Sequence, residues 1–313
     1  MSYAFVVTTD FSRASRAAFE AASELARRFD APLYLLHVTH PPEIHSPWQL
    51  EAGRPSEVDR QAGVKKRLED LVLSERAFEG LHVVPRILSE DSGDAADAVH
   101  RFQQLEQVEL IVLSHHGDMG SRCLPVGSLT ARILERVSCP VLVLPASASE
   151  SDNRPAFRPR QILVACDLSG MSRSILDTAR SWGRKFEASV RVVFVVEKSE
   201  GLEKLRSEGL TRLQALVGGK WEGVPLETVA RVGSPATEIL RESRRFGADL
   251  VILGSRGLPF PERFRVGSVA ERAIQEAPCP ALVIKSRQKG VPAPEGTWED
   301  RDHATPGHHE LQS

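Results

Sequence analysis

The chain has 313 residues, of which 41% are hydrophobic and 26% are charged, and its formal net charge is −2. This composition is typical of folded globular proteins and excludes a fibrous or disordered chain, and the absence of a basic surplus argues against nucleic-acid binding. The length exceeds what one hydrophobic core usually serves, so two domains are expected.

Targeting signals and metal-binding patterns are absent from the sequence. No run of about 18 apolar residues occurs, and the first residues lack the basic region of a signal peptide. The four cysteines fit neither a metal knuckle nor a disulfide framework, and the histidines form no i, i+4 ligand pair. We therefore expect a cytoplasmic protein with reduced thiols, no metal site and no membrane contact.

The chain repeats itself. An apolar run leads into Asp10 near the N-terminus, and a similar run leads into Asp167, 157 positions later. Gly127 and Gly267 each precede a serine but lie only 140 positions apart, so the first half holds 17 extra residues. The proline-rich stretch 40–48 is the natural place for them, as a loop after the second strand.

Composition also predicts the domain boundaries. Stretches rich in serine, alanine, proline and charge, without apolar periodicity, are typical of linkers and disordered tails. The predicted organisation is a first domain at 1–145, a linker at 146–159, a second domain at 160–286 and a disordered tail at 287–313.

Strand and helix patterns alternate within each half. In the second half, strands are predicted near 161–167, 189–196, 224–231, 249–254 and 280–285. Several of these runs are continuously apolar, as strands covered by helices on both faces must be. The pattern predicts an α/β protein with two doubly wound, Rossmann-like domains in tandem, each with a five-stranded parallel sheet.

The candidate ligand site lies where strands of the second half end, because open parallel sheets bind ligands beyond the carboxyl ends of their strands. Gly254 and Gly257 follow the fourth strand, and Gly267-Ser268 opens a helix nine residues later. Glycines let the backbone approach a phosphate, and a helix N-terminus attracts an anion. Ser268 adds a donor or caps the helix, while Asp167 binds a base or ribose or caps the helix that follows it.

This spacing resembles the G-2x-G-9x-G-[S/T] motif of ATP-binding members of the universal stress protein family. Asp167 and the segment 232–236 are also similar to that family, and the resemblance covers both halves. It implies an adenine nucleotide alpha hydrolase-like fold and a bound ATP, ADP or AMP, with Mg²⁺ as an optional companion. The nucleotide-binding residues then expected are Asp167, Val195, Gly254, Arg256, Gly257, Gly267, Ser268 and Val269.

The first half departs from the motif, since Ser114 stands where the first glycine belongs. If that position needs a positive φ or close contact with a phosphate, Ser114 weakens the site; if not, His115 and His116 can add donors. A weaker second site would consist of Asp10, Val38, Ser114, Gly117, Gly127, Ser128 and Leu129.

Three functions stay open. The favoured hypothesis is a stress-response regulatory protein that binds an adenine nucleotide mainly through its second half, without fast chemistry and without catalytic residues. The alternatives are a slow ATPase or phosphotransferase, for which the Walker A lysine motif and paired carboxylates are missing, and a structural partner without nucleotide. The resemblance further implies pairing of the halves through strands 141–144 and 281–284 and leaves a homodimer open.

Overall fold

The structure is a computed structural model. It describes residues 4–13, 15–39, 57–89, 94–115, 128–145, 157–197, 202–218, 221–255 and 266–285. The predicted insertion at 40–48 and tail at 287–313 lie outside these ranges, as does most of the predicted linker.

Strands and helices alternate through both halves. The first half contains β1 (Ala4–Thr8), α1 (Ser15–Phe29), β2 (Leu33–Thr39), α2 (Glu57–Ser74), a 3-10 turn (Arg76–Phe78), β3 (Val83–Ser89), α3 (Ala95–Leu105), β4 (Val108–Ser114), α4 (Ser128–Arg136) and β5 (Val141–Leu144). The second contains β6 (Gln161–Ala165), α5 (Ser172–Phe186), β7 (Ser189–Val196), α6 (Leu202–Val217), β8 (Leu226–Val232), α7 (Pro235–Phe246), β9 (Leu250–Gly254), α8 (Ser268–Glu276) and β10 (Ala281–Ile284).

Local chemistry explains where the helices begin and end. Helix α7 has Pro235 in its first turn, where the missing N–H costs nothing, and stops at Gly247, whose φ of +64° suits glycine. Helix α3 begins after Asp94, whose carboxylate accepts bonds from the backbone N–H groups of Ala96 and Asp97.

The strands form one ten-stranded sheet in the order β3-β2-β1-β4-β5-β10-β9-β6-β7-β8. Within each half all pairs are parallel, which confirms the predicted pair of doubly wound α/β domains. At the centre β5 runs antiparallel to β10, with Leu142 opposite Leu282. The carboxyl ends of the strands therefore point to opposite edges of the sheet in the two halves.

The register locates the extra residues of the first half. Thr39 and Val83 bound the β2–β3 connection, and Val196 and Leu226 bound its counterpart, which is 14 residues shorter. The other 3 of the 17 extra residues fall between β3 and β4. The interpretation placed all of them after the second strand; the structure places 14 in the β2–β3 connection, while the stretch 40–48 itself lies outside the described residues.

Helices cover both faces of the sheet, so the strands are buried on both sides. One apolar cluster joins α1, α2, α5 and α6 to the sheet, and a second joins α3, α4, α7 and α8 to the opposite face. Helices α1 and α5 meet across the centre, where Arg28 lies 5.2 Å from the Phe186 ring and Lys185 lies 5.8 Å from the Phe29 ring. Over the described ranges, no helix is both long and apolar enough to cross a membrane.

Candidate functional site

The second half has its topological switch point between β6 and β9. From β6 the chain continues to β7 and β8 on one side, and it then returns to β9 and β10 on the other. Gly254 is the last residue of β9, and Asp167 follows β6 by two residues rather than ending the strand as expected. Both therefore flank the crevice in which this sheet architecture binds ligands.

Two backbone hydrogen bonds bring the glycine-containing segments together. Ser255, which is buried, donates its N–H to the carbonyl of Ile284 over 2.8 Å, and its own carbonyl accepts the N–H of Gly267, also over 2.8 Å. Both ends of the loop between Ser255 and Gly267 are thereby fixed at the end of β9. The first turn of α8 consequently opens on the same edge as Gly254.

The start of α8 corrects one interpretation of the sequence. Gly267 is the N-cap residue, with φ −75° and ψ 148°, and Ser268 is the first helical residue, so Ser268 does not cap the helix. Gly267 has no side chain with which to cap this end. Ser268 is exposed, and Val269 packs partly buried against the α7–α8 side of the core.

Asp167 has one carboxylate oxygen in use and one without a partner. Oδ1 accepts the N–H of Ser169 (3.0 Å) and the hydroxyl of Ser172 (3.4 Å). Oδ2 is buried and has no hydrogen-bond partner in the described part of the chain. A buried carboxylate oxygen without a donor costs free energy, so a donor from a ligand would stabilise it.

Val195 and Gly233 border the same edge. Val195 is the penultimate residue of β7 and lies beside Arg231 of β8, and the N–H of Gly233 donates to the carbonyl of Val196 over 3.0 Å. Gly233 has a φ of +150°, a conformation open to glycine. Ser234 precedes α7 without capping it through its side chain, so this helix end also faces the edge uncapped.

The matching carboxylate of the first half, Asp10, makes the same bonds through Oδ1 but differs in its exposure. Asp10 is exposed, and its Oδ1 accepts the N–H of Ser12 (2.9 Å) and the hydroxyl of Ser15 (2.7 Å). Burial by itself raises the pKa of Asp10, but the hydrogen bonds from Ser12 and Ser15 outweigh it and lower this pKa below its usual value.

An aromatic stack covers this part of the first half. The Phe11 ring lies 4.6 Å from the His37 ring, and the Arg67 guanidinium lies 4.1 Å from the Phe11 ring centre. His37 Nδ1 is 2.8 Å from the carbonyl oxygen of Thr9, so His37 is a packed, hydrogen-bonded residue. Phe11 and its counterpart Leu168 both have positive φ values, 63° and 59°, a strained backbone for non-glycine residues.

Ser114 takes the place of Gly254 without conflict in the backbone. Ser114 ends β4 opposite Leu144, just as Gly254 ends β9 opposite Ile284, so both are extended residues of a β-ladder. A serine there is disfavoured only if a phosphate must come within contact of the backbone. His115 is buried, and it therefore does not extend to the solvent as a phosphate donor would.

Some expected residues cannot be compared with the structure. Arg256, Gly257, His116, Gly117 and Gly127 lie outside the described residues, and of Ser128 only the backbone, which begins α4, is described. Val38 is buried and Leu129 half-buried.

The cysteines and the candidate metal ligands can be located only where the structure describes them. Cys139 and Cys279 are buried at equivalent places in the core, and burial raises the pKa of each thiol to about 12. In the described ranges no three His, Cys, Asp or Glu side chains are grouped as metal ligands.

Sequence reasoning missed a buried ionic cluster beside the second-half site. The side chain of Glu242 on α7 is only 1% exposed, and its two oxygens lie 2.8 Å from Arg191 Nη1 and 2.7 Å from Arg231 Nε. Burial raises the pKa of Glu242, but the hydrogen bonds and charges of Arg231 and Arg191 outweigh it and lower this pKa. The sequence contains only a weak indication of this cluster. Two arginines lie on the same face of neighbouring strands, but arginines at such positions are equally compatible with contact to solvent.

Comparisons with known proteins agree on one family. The sequence profile of the universal stress protein family matches residues 1–145 and 159–285. A universal stress protein of Mycobacterium tuberculosis is 27% identical over 91% of this chain and 97% of its own length. One of Methanocaldococcus jannaschii is 33% identical over 42% of this chain and 84% of its own length. The crystal structure of one from Archaeoglobus fulgidus is 19% identical, with a TM-score of 0.63 over 91% of this chain and 99% of that chain.

Proposed function

Because this chain belongs to the universal stress protein family, we propose that it is a stress-response regulatory protein that binds ATP, ADP or AMP mainly through its second half. In this proposal the nucleotide is held and not turned over rapidly, and Mg²⁺ enters, if at all, together with the phosphates. The boundaries at 145/146, 159/160 and 286/287 and the assigned binding residues are part of the proposal.

The observation that carries the proposal is the bond between the Gly267 N–H and the Ser255 carbonyl. It holds the uncapped start of α8 against the end of β9, at the switch point of the sheet. Free N–H groups and the helix dipole at such an end attract phosphate oxygens. Gly254 has no side chain that would keep a ligand away from the backbone there.

The unpartnered oxygen of Asp167 supports an adenosine moiety on the same edge. An exocyclic amine or a ribose hydroxyl supplies the donor that Oδ2 lacks. Asp10, the equivalent residue of the first half, is exposed, so a ligand gains less by bonding to it and we expect weaker binding there.

The first test compares Gly267→Val with the wild-type chain. The φ and ψ of Gly267 are open to any residue, so a valine leaves the backbone unstrained and acts mainly by blocking close approach. We expect at least about a tenfold loss of ATP or ADP affinity by calorimetry, equivalent to about 1.4 kcal/mol. Gly257→Val should act in the same direction.

The matched control is Gly63→Val on α2, where an added Cβ meets no atom within 4 Å. It should bind nucleotide as the wild type does. Unchanged affinity in both Gly267→Val and Gly257→Val contradicts the assigned site. About one nucleotide per chain, measured in freshly purified protein, supports one strong site. ATP hydrolysis at about 1 per second, the low end for kinases, contradicts a protein that holds its nucleotide without rapid turnover.

A further inference from the structure

The buried cluster around Glu242 ties three elements of the second half together. Glu242 lies on α7, Arg191 on β7 and Arg231 on β8, and the two oxygen–nitrogen distances are 2.8 and 2.7 Å. Arg191 also binds Glu227 over 2.6 Å and lies 4.3 Å from the Phe246 ring. Arg191 is thus fixed by further contacts and Glu242 by burial, whereas Arg231, among the described residues, depends on Glu242 alone.

One arm of the cluster reaches the edge where the nucleotide is proposed to bind. Arg231 pairs in register with Val195, and both side chains lie on the α7 side of the sheet. Two residues further on, Gly233 bonds to Val196, and α7 begins after Ser234. Glu242 therefore fixes the strand that leads into this turn and the helix that leaves it.

The equivalent region of the first half has no buried ion pair among its described residues. By strand register and helix start, Tyr34, Leu88, Phe102 and Glu106 correspond to Arg191, Arg231, Glu242 and Phe246. The Tyr34 hydroxyl donates to Glu106 over 2.8 Å, and Phe102 packs in the core. An arrangement without a buried ion pair therefore exists for the same fold.

A buried ionic cluster rarely adds more stability than apolar residues of similar size, because desolvation of the charges offsets their attraction. Stability alone is therefore a weak reason for the cluster in the second half. The position of the cluster beside Val195 and Gly233 suggests a second reason, which concerns the ligand site.

We propose that Glu242 is a positioning residue for the second-half ligand site: through Arg231 it fixes the wall formed by Val195 and the Gly233 turn. The inference rests on the proposed nucleotide binding, since that wall faces the base or ribose. Glu242 itself does not touch the ligand.

The test uses two full-length variants. Glu242→Gln keeps the shape and removes the charge. The fourfold variant Arg191→Tyr, Arg231→Leu, Glu242→Phe and Phe246→Glu transplants the first-half solution. For each we would measure urea unfolding, ADP affinity by calorimetry, and amide hydrogen exchange at Gly233 without nucleotide, with the Ser255 amide as internal reference.

For Glu242→Gln we expect at least about tenfold faster exchange at Gly233 relative to Ser255, and about tenfold weaker ADP binding. The fourfold variant should keep an unfolding midpoint close to that of the wild type and still bind ADP about tenfold more weakly. If the fourfold variant is as stable as the wild type but binds ADP more weakly, the cluster positions the ligand site and does not merely stabilise the fold.

Wild-type ADP affinity in a stably folded fourfold variant would overturn the inference and leave the proposed function intact. If the fourfold variant does not fold, unchanged Gly233 exchange in Glu242→Gln overturns it equally. A wild-type chain that binds no adenine nucleotide removes the proposed function and this inference together, whatever the exchange data show.

Discussion

The two halves differ at two pairs of equivalent polar residues. In the first half, Asp94 caps α3 with its carboxylate, and the used oxygen of Asp10 lies 2.7 Å from the Ser15 hydroxyl. In the second half, Ser234 leaves α7 uncapped and Asp167 keeps a buried oxygen without a partner in the described residues. The halves therefore differ by more than one glycine: the first has a capped helix and an exposed aspartate here, and the second has an uncapped helix and a buried, unpartnered carboxylate oxygen.

Outside the ligand site, the largest change in unfolding free energy is expected from substitutions at two helix glycines, one in each half. A methyl group on Gly209 of α6 would overlap the ring of Phe194, whereas one on Gly63 of α2 meets nothing within 4 Å. Gly209→Ala should lower the free energy of unfolding by about 1–3 kcal/mol through overpacking. Gly63→Ala should raise it by up to about 1 kcal/mol through helix propensity.

Urea denaturation of both variants measures this contrast. Adding Phe194→Leu to Gly209→Ala should recover part of the loss, because the smaller side chain removes the overlap. Equal effects of the two alanine substitutions would show that α6 is not held against β7 by Phe194.

A smaller effect is expected at the helix starts. Asp94→Ala removes the cap of α3 and should cost about 1–2 kcal/mol of unfolding free energy. Ser234→Ala removes a hydroxyl that makes no cap bond, so the change should stay within about 0.5 kcal/mol. Chemical denaturation of the two variants measures these changes. A comparable loss of unfolding free energy in both would contradict the conclusion that α3 is capped by a side chain and α7 is not.

The smallest effect is a pH dependence at Asp10. Because the pKa of Asp10 is lowered in the folded chain, its contribution is present above the unfolded pKa of about 3.9 and is lost as pH falls through the folded value. Asp10 is exposed, so we expect only a few tenths of a kcal/mol, about the size of a surface interaction.

Thermal melts between pH 7 and pH 3 test this sign. Asp10→Asn should melt below the wild type at pH 7, and the difference should disappear toward pH 3. The surface variant Asp70→Asn gives the baseline, and a gap that grows as pH falls would mean that the sign is wrong.

Much of the fold was readable because its signals are local. Strand β9 was predicted at 249–254 and begins one residue later, and β8 was predicted at 224–231 and spans Leu226–Val232. Continuous apolar runs between helical periods leave few other architectures. The position of Asp167 on the switch edge follows from the same reasoning.

The remaining features depend on contacts between distant residues. Glu242 meets an arginine 51 positions away, and nothing in a strand pattern separates a buried arginine from an exposed one. The positive φ of Phe11 and Leu168 is invisible in sequence because neither is a glycine. Ser268 looked like a cap because serine is a common one, but Gly267 takes that position.

The antiparallel pair of β5 and β10 has a consequence for assembly. With the two halves reversed across Leu142 and Leu282, the carboxyl ends of the strands of the two halves point in opposite directions. A protein that docks at one edge leaves the other accessible, so the geometry permits a chain to join two different partners in line. Since both halves belong to one polypeptide, each end can also evolve its own specificity, which a dimer of identical chains cannot do.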